Sequence, residues 1–181
     1  MISQKNTKKF VPSTTPSVRW RYWQTVLDLK TCFACVKNHG KIYDKNESPE
    51  EEPPLHWHCR CFIKKLQSII AGKGTQDGVN GADWTLKHFK VLPTYYISES
   101  TIQELGWSKG KRPSDFAPGK MITRGVYKNR NGHLPNSPGR IWYEADINYY
   151  SGRRNGHRIL WSNDGLIFVT YDHYMTFIEI L

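Results

Sequence analysis

Arg140-Ile-Trp-Tyr-Glu-Ala-Asp-Ile147 alternates in a way that decides how the second half of the chain folds. Successive side chains of a strand point to opposite faces. Ile141, Tyr143, Ala145 and Ile147 therefore fall on one side, and Arg140, Trp142, Glu144 and Asp146 on the other. The first set suits a core. The second is expected to face solvent, as one side of an antiparallel sheet commonly does, and by itself Glu144 reads as an ordinary surface carboxylate. Near the C-terminus, Asp172-His173-Tyr174 adds one imidazole.

Further short β-branched or aromatic runs at 122–127, 158–162, 166–171 and 176–180, separated by Gly, Asn and Asp, read as strands. Two helices precede them. One carries Trp84, Lys87 and His88, and the other spans 98–105, with Ser98 as N-cap and Gly106 as terminator. Helices followed by a strand meander predict an α+β fold, helices packed on a twisted antiparallel sheet.

The chain has 181 residues, room for one ordinary domain plus a smaller unit. Its 26 Lys and Arg against 16 Asp and Glu give a net charge of +10, spread over both halves, which suits a polyanion such as RNA. No apolar run is long enough to span a membrane, and residues 1–16 lack the apolar centre of a Sec signal. Four units are expected: a disordered arm at 1–17, a Cys/His-rich irregular segment at 18–71, a flexible Gly- and Asn-rich linker at 72–81, and a domain at 82–181. Within the second, the three- and four-residue spacing of Trp20, Tyr22, Trp23, Val26 and Leu27 suggests an amphipathic piece, and 64–71 a short helical exit.

All four cysteines lie in that second unit, so the last domain has no disulfide of its own. Cys32, Cys35, Cys59 and Cys61, with His56 and His58 nearby, offer more soft ligands than a structural zinc needs. The single residue between Cys59 and Cys61 is shorter than the usual zinc spacing, and disulfides or free thiols fit the same pattern. A catalytic metal is not expected.

The text Trp142-Tyr-Glu-Ala-Asp-Ile-Asn-Tyr149, Ser151-Gly-Arg-Arg-Asn-Gly-His-Arg-Ile-Leu160 and Thr170-Tyr-Asp-His-Tyr-Met-Thr-Phe177, with Leu105-Gly-Trp107 and Ala117-Pro-Gly-Lys120 before it, resembles the barnase- and binase-like microbial ribonucleases. The resemblance runs from about Ala82 to Leu181. It implies a guanyl-preferring endoribonuclease that works without a metal cofactor through a 2′,3′-cyclic phosphate, with Glu144 as general base, His173 as general acid, and Arg154 and Arg158 holding phosphate. Tyr127, Lys128, Asn129, Arg130 and Asn131 would form the base-binding loop, and Tyr174 would touch the nucleotide. Two departures stand out. Asn131 replaces the loop's acidic residue, and Glu99 replaces a phosphate-supporting lysine. A carboxylate ~5 Å from a phosphorane would oppose it by roughly 3 kcal/mol at an effective dielectric of about 20, so Glu99 is expected to slow the reaction unless Lys128, Lys109 or Lys111 compensates.

Cys32-Phe-Ala-Cys35, His39-Gly-Lys41 and Pro53-Pro-Leu-His-Trp-His-Cys-Arg-Cys61 are similar to the end of Mu protein-F-like phage head morphogenesis domains. Together the two resemblances imply a monomeric ribonuclease toxin, secreted or delivered by a phage head or a secretion apparatus, and a barstar-like acidic immunity protein as partner. The competing expectation is a non-catalytic RNA-binding or head-associated protein.

Overall fold

The computed structural model describes residues 10–181. Among them, nine strands form one mixed sheet: β1 (Thr15–Gln24), β2 (Ile42–Asp44), β3 (Phe62–Ile69), β4 (Tyr96–Ser98), β5 (Met121–Tyr127), β6 (Trp142–Asp146), β7 (Arg158–Ser162), β8 (Ile167–Thr170) and β9 (Ile178–Ile180). Their order is β2-β1-β3-β9-β8-β7-β6-β5-β4. Three helices accompany them, α1 (Phe33–Asn38), α2 (Ala82–Phe89) and α3 (Glu99–Glu104). The sheet is not purely antiparallel as expected, because β3 joins β9, and β4 joins β5, in parallel.

Local chemistry explains the helix ends. Ser98 accepts the Thr101 N–H through its Oγ at 3.0 Å, closing the first turn of α3. Leu86 of α2 is buried with Ile69, Ala145, Ile147, Ile159, Val169 and Ile180. That cluster is the core between α2 and the Ala145 side of β6.

The opposite face of β6 is not the solvated face that alternation predicts. Trp142, Glu144 and Asp146 are all buried. Trp142 joins Leu160, Phe168 and Phe177 in a second cluster, and the N-terminal segment covers it with Trp20, Ile42 and Leu66. A strand with both faces covered no longer reports its orientation by alternation alone.

The N-terminal segment is therefore only partly irregular: it adds strands β1, β2 and β3 to the sheet, while the stretch between β2 and β3 that carries His56, His58, Cys59 and Cys61 holds neither strand nor helix. Its expected amphipathic piece is strand β1, in which Ser17, Trp20 and Trp23 are buried at intervals of three. The register against β3 slips between Pro16 and Arg21, and this irregularity converts a period of two into one that mimics a helix. Residues 64–71, expected to be helical, mostly belong to β3. They complete the edge of β9, with Gln67, Ser68 and Ile69 opposite Ile178, Glu179 and Ile180.

Of the arm expected at 1–17, residues 1–9 lie outside the described part, and β1 already begins at Thr15. The stretch expected as a flexible linker is tied to one buried carboxylate: Asp83 accepts from Gly72 N–H at 2.7 Å, Gly74 N–H at 2.8 Å and the Thr75 hydroxyl at 2.8 Å. Three donors satisfy an anion that burial would otherwise penalise.

Candidate active site

β6 carries Glu144 into a cleft of about 430 Å³ lined also by Arg124, Val126, Tyr127, Lys128, Asn129, Arg130 and Asn131. The Glu144 side chain is only 7 % exposed. Its Oε2 accepts the Tyr174 hydroxyl at 2.5 Å, and its Oε1 lies 3.4 Å from Nη1 of Arg124. Tyr174 stacks on Tyr127 with ring centroids 5.5 Å apart, so the phenol that holds Glu144 is also packed against the start of the 127–131 loop. Burial first, and the Glu144 contact second, push the Tyr174 phenol above its ordinary pKa. The phenol remains a donor.

His173 is exposed on a tight turn that Asp172 organises. One Asp172 oxygen accepts from Thr170 Oγ1 at 2.9 Å, Met175 N–H at 3.1 Å and Thr176 N–H at 2.9 Å, and the other takes Thr176 Oγ1 at 2.6 Å. These bonds hold His173 and Tyr174 at φ of 59° and 70°, a left-handed pair that non-glycine residues resist. Opposite, Gly156 accepts the His173 N–H, and a Cβ there would stand 3.2 Å from His173 Cβ. Glycine lets the turn close.

Two residues along β6, Asp146 gathers both expected phosphate-holding arginines, neither of which lines the Glu144 cleft. Arg154 donates to it through Nε at 2.7 Å and Nη2 at 2.6 Å, and Arg158 Nε lies 3.1 Å away. Arg158 is buried and also donates to the Asn155 and His157 carbonyls. Arg154 borders a second cleft with Trp107, Lys109, Lys111 and Arg153.

In the 127–131 loop, Asn129 does not project as a free reader. Its amide spans the loop, donating to Leu134 O at 2.9 Å and accepting Leu134 N–H at 3.1 Å. Asn131 is turned toward His133, with Nδ2 3.0 Å from His133 Nδ1 and Oδ1 accepting His133 N–H at 3.3 Å. Lys128 and Arg130 are exposed on the rim.

A buried carboxylate, an exposed imidazole on an ordered turn, and guanidinium groups beside a nucleotide-sized cleft can exchange protons and neutralise phosphate. Residues 82–181 match the family model described as ribonuclease. The chain belongs to the ribonuclease family. A ribonuclease of Bacillus intermedius and one of Bacillus pumilus are each 50 % identical to it over 113 residues, 61 % of this chain and 67 % of theirs. A ribonuclease of Heyndrickxia coagulans is 50 % identical over 108 residues, 59 % of this chain but 95 % of its own.

Within this ribonuclease domain, one cation escaped the sequence reading. Arg124 is the extra residue of a β-bulge, since Thr123 pairs with Ala145 and Gly125 with the adjacent Glu144. Gly125 has φ of 70°, the conformation such a bulge requires. The bulge turns Arg124 toward Glu99 and Glu144 together. A glycine inside a strand pattern was the available signal. Glu99, expected to oppose the phosphorane unless a lysine compensates, has an arginine as its partner: its Oε2 accepts Arg124 Nε at 2.9 Å.

Proposed function

We propose that residues 82–181 are a metal-independent endoribonuclease that cleaves single-stranded RNA by transesterification through a 2′,3′-cyclic phosphate. The observation that carries this reading is a single cleft shared by the 127–131 loop, Arg124 and the buried Glu144, which brings a base-sized surface within reach of a carboxylate. Glu144 removes the 2′-hydroxyl proton, and the oxygen attacks phosphorus. His173 protonates the departing 5′-oxygen. In the second step water attacks the cyclic phosphate, His173 accepts its proton, and Glu144 returns one to the 2′-oxygen. Arg124 neutralises the phosphorane, with Arg154 and Arg158 gathered by Asp146.

Polymeric substrate is favoured by the run of clefts. The Glu144 cleft shares Arg124 with one lined by Glu99, Gln103 and Lys109, which in turn shares Lys109 with the cleft of Lys111, Arg153 and Arg154. Cations along one path suit several phosphates in sequence. Tyr127 and Tyr174 offer ring faces for a purine, the basis for a guanine or purine preference.

The Cys/His-rich segment and its likeness to a phage head domain support a toxin carried on a delivered or secreted polypeptide. The basic cleft suits an acidic immunity protein as the inhibitor. The deciding assay is turnover of single-stranded RNA in EDTA with products read by phosphorus NMR. A cyclic phosphate resonance is expected. RNA binding without product would instead favour the non-catalytic, head-associated alternative.

A further inference from the structure

Outside the catalytic cleft, five thiol and imidazole groups crowd one end of β1. Cys32 and Cys35 Sγ lie 3.2 and 3.4 Å from His56 Nε2, and Cys35 Sγ lies 3.7 Å from Cys59 Sγ. No disulfide joins any of the four cysteines. A zinc ion with Zn–S of about 2.3 Å and Zn–N of about 2.0 Å, bound tetrahedrally, holds its ligand atoms roughly 3.5–3.8 Å from one another. The three contacts are near that spacing, whereas a disulfide needs sulfurs at about 2.05 Å.

We propose that Cys32, Cys35, His56 and Cys59 bind one structural zinc ion, with His56 in the place expected of Cys61. The hydrogen bonds separate the two candidates. Thr25 has one hydroxyl proton and donates it to Cys35 O at 3.0 Å, so its 3.2 Å contact with Cys61 Sγ has the thiol as donor. Cys61 Sγ is thus engaged by Thr25 and stands outside the triad of Cys32, Cys35 and His56, whose ligand atoms lie within 4.8 Å of one another; Cys35 also belongs to a second triad with Cys59 and Cys61. His56 is oriented toward the sulfurs by its other ring nitrogen. Its Nδ1 lies 2.8 Å from Trp57 O, which fixes the proton on Nδ1 and leaves the Nε2 lone pair facing Cys32 and Cys35. The set also restores regular spacing, Cys-x2-Cys and His-x2-Cys, in place of the irregular Cys59-x-Cys61.

Cys32 Sγ accepts the Cys35 N–H at 3.5 Å at the start of α1, which fixes the side chain beside the other ligands. Four protein ligands close the coordination sphere, so the ion would be structural. It would clamp α1 and the 56–59 turn together. The chain leaving α1 then hands Gly40 N–H to Trp23 O at 2.9 Å and Ile42 N–H to His133 O at 2.8 Å. The centre thus steadies the support beneath the 127–133 loop without entering the chemistry.

The test uses the full chain purified under reducing conditions. Elemental analysis is expected to find one zinc per chain. Cobalt(II) substitution is expected to give tetrahedral ligand-field bands and thiolate charge transfer, and X-ray absorption of the zinc form to count three sulfurs and one nitrogen. His56→Ala should lower retained metal by about tenfold or more, while Cys61→Ser keeps one ion. A wild-type chain that takes up neither metal overturns the proposal. So does a four-sulfur shell, or metal lost in Cys61→Ser and kept in His56→Ala. The absorption measurement needs no variant, so a misfolded mutant leaves the question answerable.

Discussion

Glu99 and Arg124 form an ion pair, Nε to Oε2 at 2.9 Å, and the same guanidinium reaches to 3.4 Å from Glu144. An ion pair with one partner 36 % exposed adds little stability, about 0–1 kcal/mol. Its effect is positional. In the proposed mechanism Glu99 holds beside Glu144 the cation that meets the reacting phosphate.

Arg124→Gln is therefore expected to lower kcat by about 10²-fold, in the range typical of a lost transition-state donor, with a smaller change in KM. Glu99→Lys alone should also lower kcat, because two cations would repel where one is anchored. Adding Arg124→Gln to Glu99→Lys should recover much of that loss, since the lysine then supplies the single cation. A double-mutant cycle in dinucleotide cleavage measures this coupling. A Glu99→Lys enzyme faster than wild type would show that Arg124 does not serve the phosphate.

Glu144→Gln and His173→Gln are each expected to reduce transesterification by about 10²- to 10⁴-fold. Glutamine preserves the shape around the buried Glu144 and still accepts from Tyr174. Thermal unfolding of both variants should stay near wild type, which separates lost chemistry from lost fold. Wild-type rates in either would remove that residue from the mechanism.

Much of this site was legible because its residues sit on local signals. Ser98 stands one residue before α3 and caps it, and Glu144 falls in the strand that alternation marks. What was hidden depends on distant partners. Trp142 looks solvent-facing until Trp20, Ile42 and Leu66 are laid over it from more than seventy residues upstream. Arg124 looks like a surface charge until the bulge at Gly125 redirects it. β1 looks helical because its register slips. Asp83 gives no hint in sequence that the glycine-rich stretch before it will close around its carboxylate. Each failure is a tertiary contact overriding a local period.

Residues 82–181 should cleave RNA without the preceding segment and without sensitivity to EDTA, because every group placed in the cleft follows Ala82. The Heyndrickxia ribonuclease is matched over 95 % of its own length by 108 residues of this chain, close to the length of the fragment. Stability should fall, however. Removing β3 bares the β9 edge, and removing Trp20 and Leu66 uncovers Phe168 and Trp142, a loss of about 2–5 kcal/mol by comparison with large core truncations. Urea unfolding of both forms measures the difference. EDTA-sensitive cleavage by the fragment would contradict the metal-free mechanism.

Stability should also fall as the solution is acidified through the histidine range. Burial lowers the pKa of His157, and its neighbours favour the uncharged ring: its Nδ1 lies 3.2 Å from Asn148 Nδ2, while Asn148 Oδ1 is committed to Gln76 N–H. The unfolded chain, with histidine near its ordinary pKa of about 6.5, binds the proton more readily than the native one. The contribution is thus complete above that pH and is lost as pH drops toward the depressed native value. His157→Gln should flatten the fall in unfolding free energy between about pH 7.5 and 5.5. An unchanged slope would place the proton linkage elsewhere.

Base preference should be weak and correctable at one position. Guanine presents N1–H and N2–H donors, which a carboxylate meets with two oxygens and an amide with one. Here the single amide oxygen of Asn131 already accepts His133 N–H at 3.3 Å, so even that acceptor is turned into the loop. The wild-type ratio of kcat/KM for GpU over ApU is expected to be small. Asn131→Glu, one methylene longer, carries a carboxylate past His133 toward the cleft. A two-oxygen contact is typically good for about 1–3 kcal/mol of discrimination, so the ratio should rise by roughly tenfold. Asn129→Ala supplies the contrast, because it breaks the two bonds to Leu134 that close the loop and should depress both substrates together. If Asn131→Glu leaves the ratio unchanged while Asn129→Ala lowers both rates, the loop binds the base through its backbone and stacking surfaces, and residue 131 does not touch it.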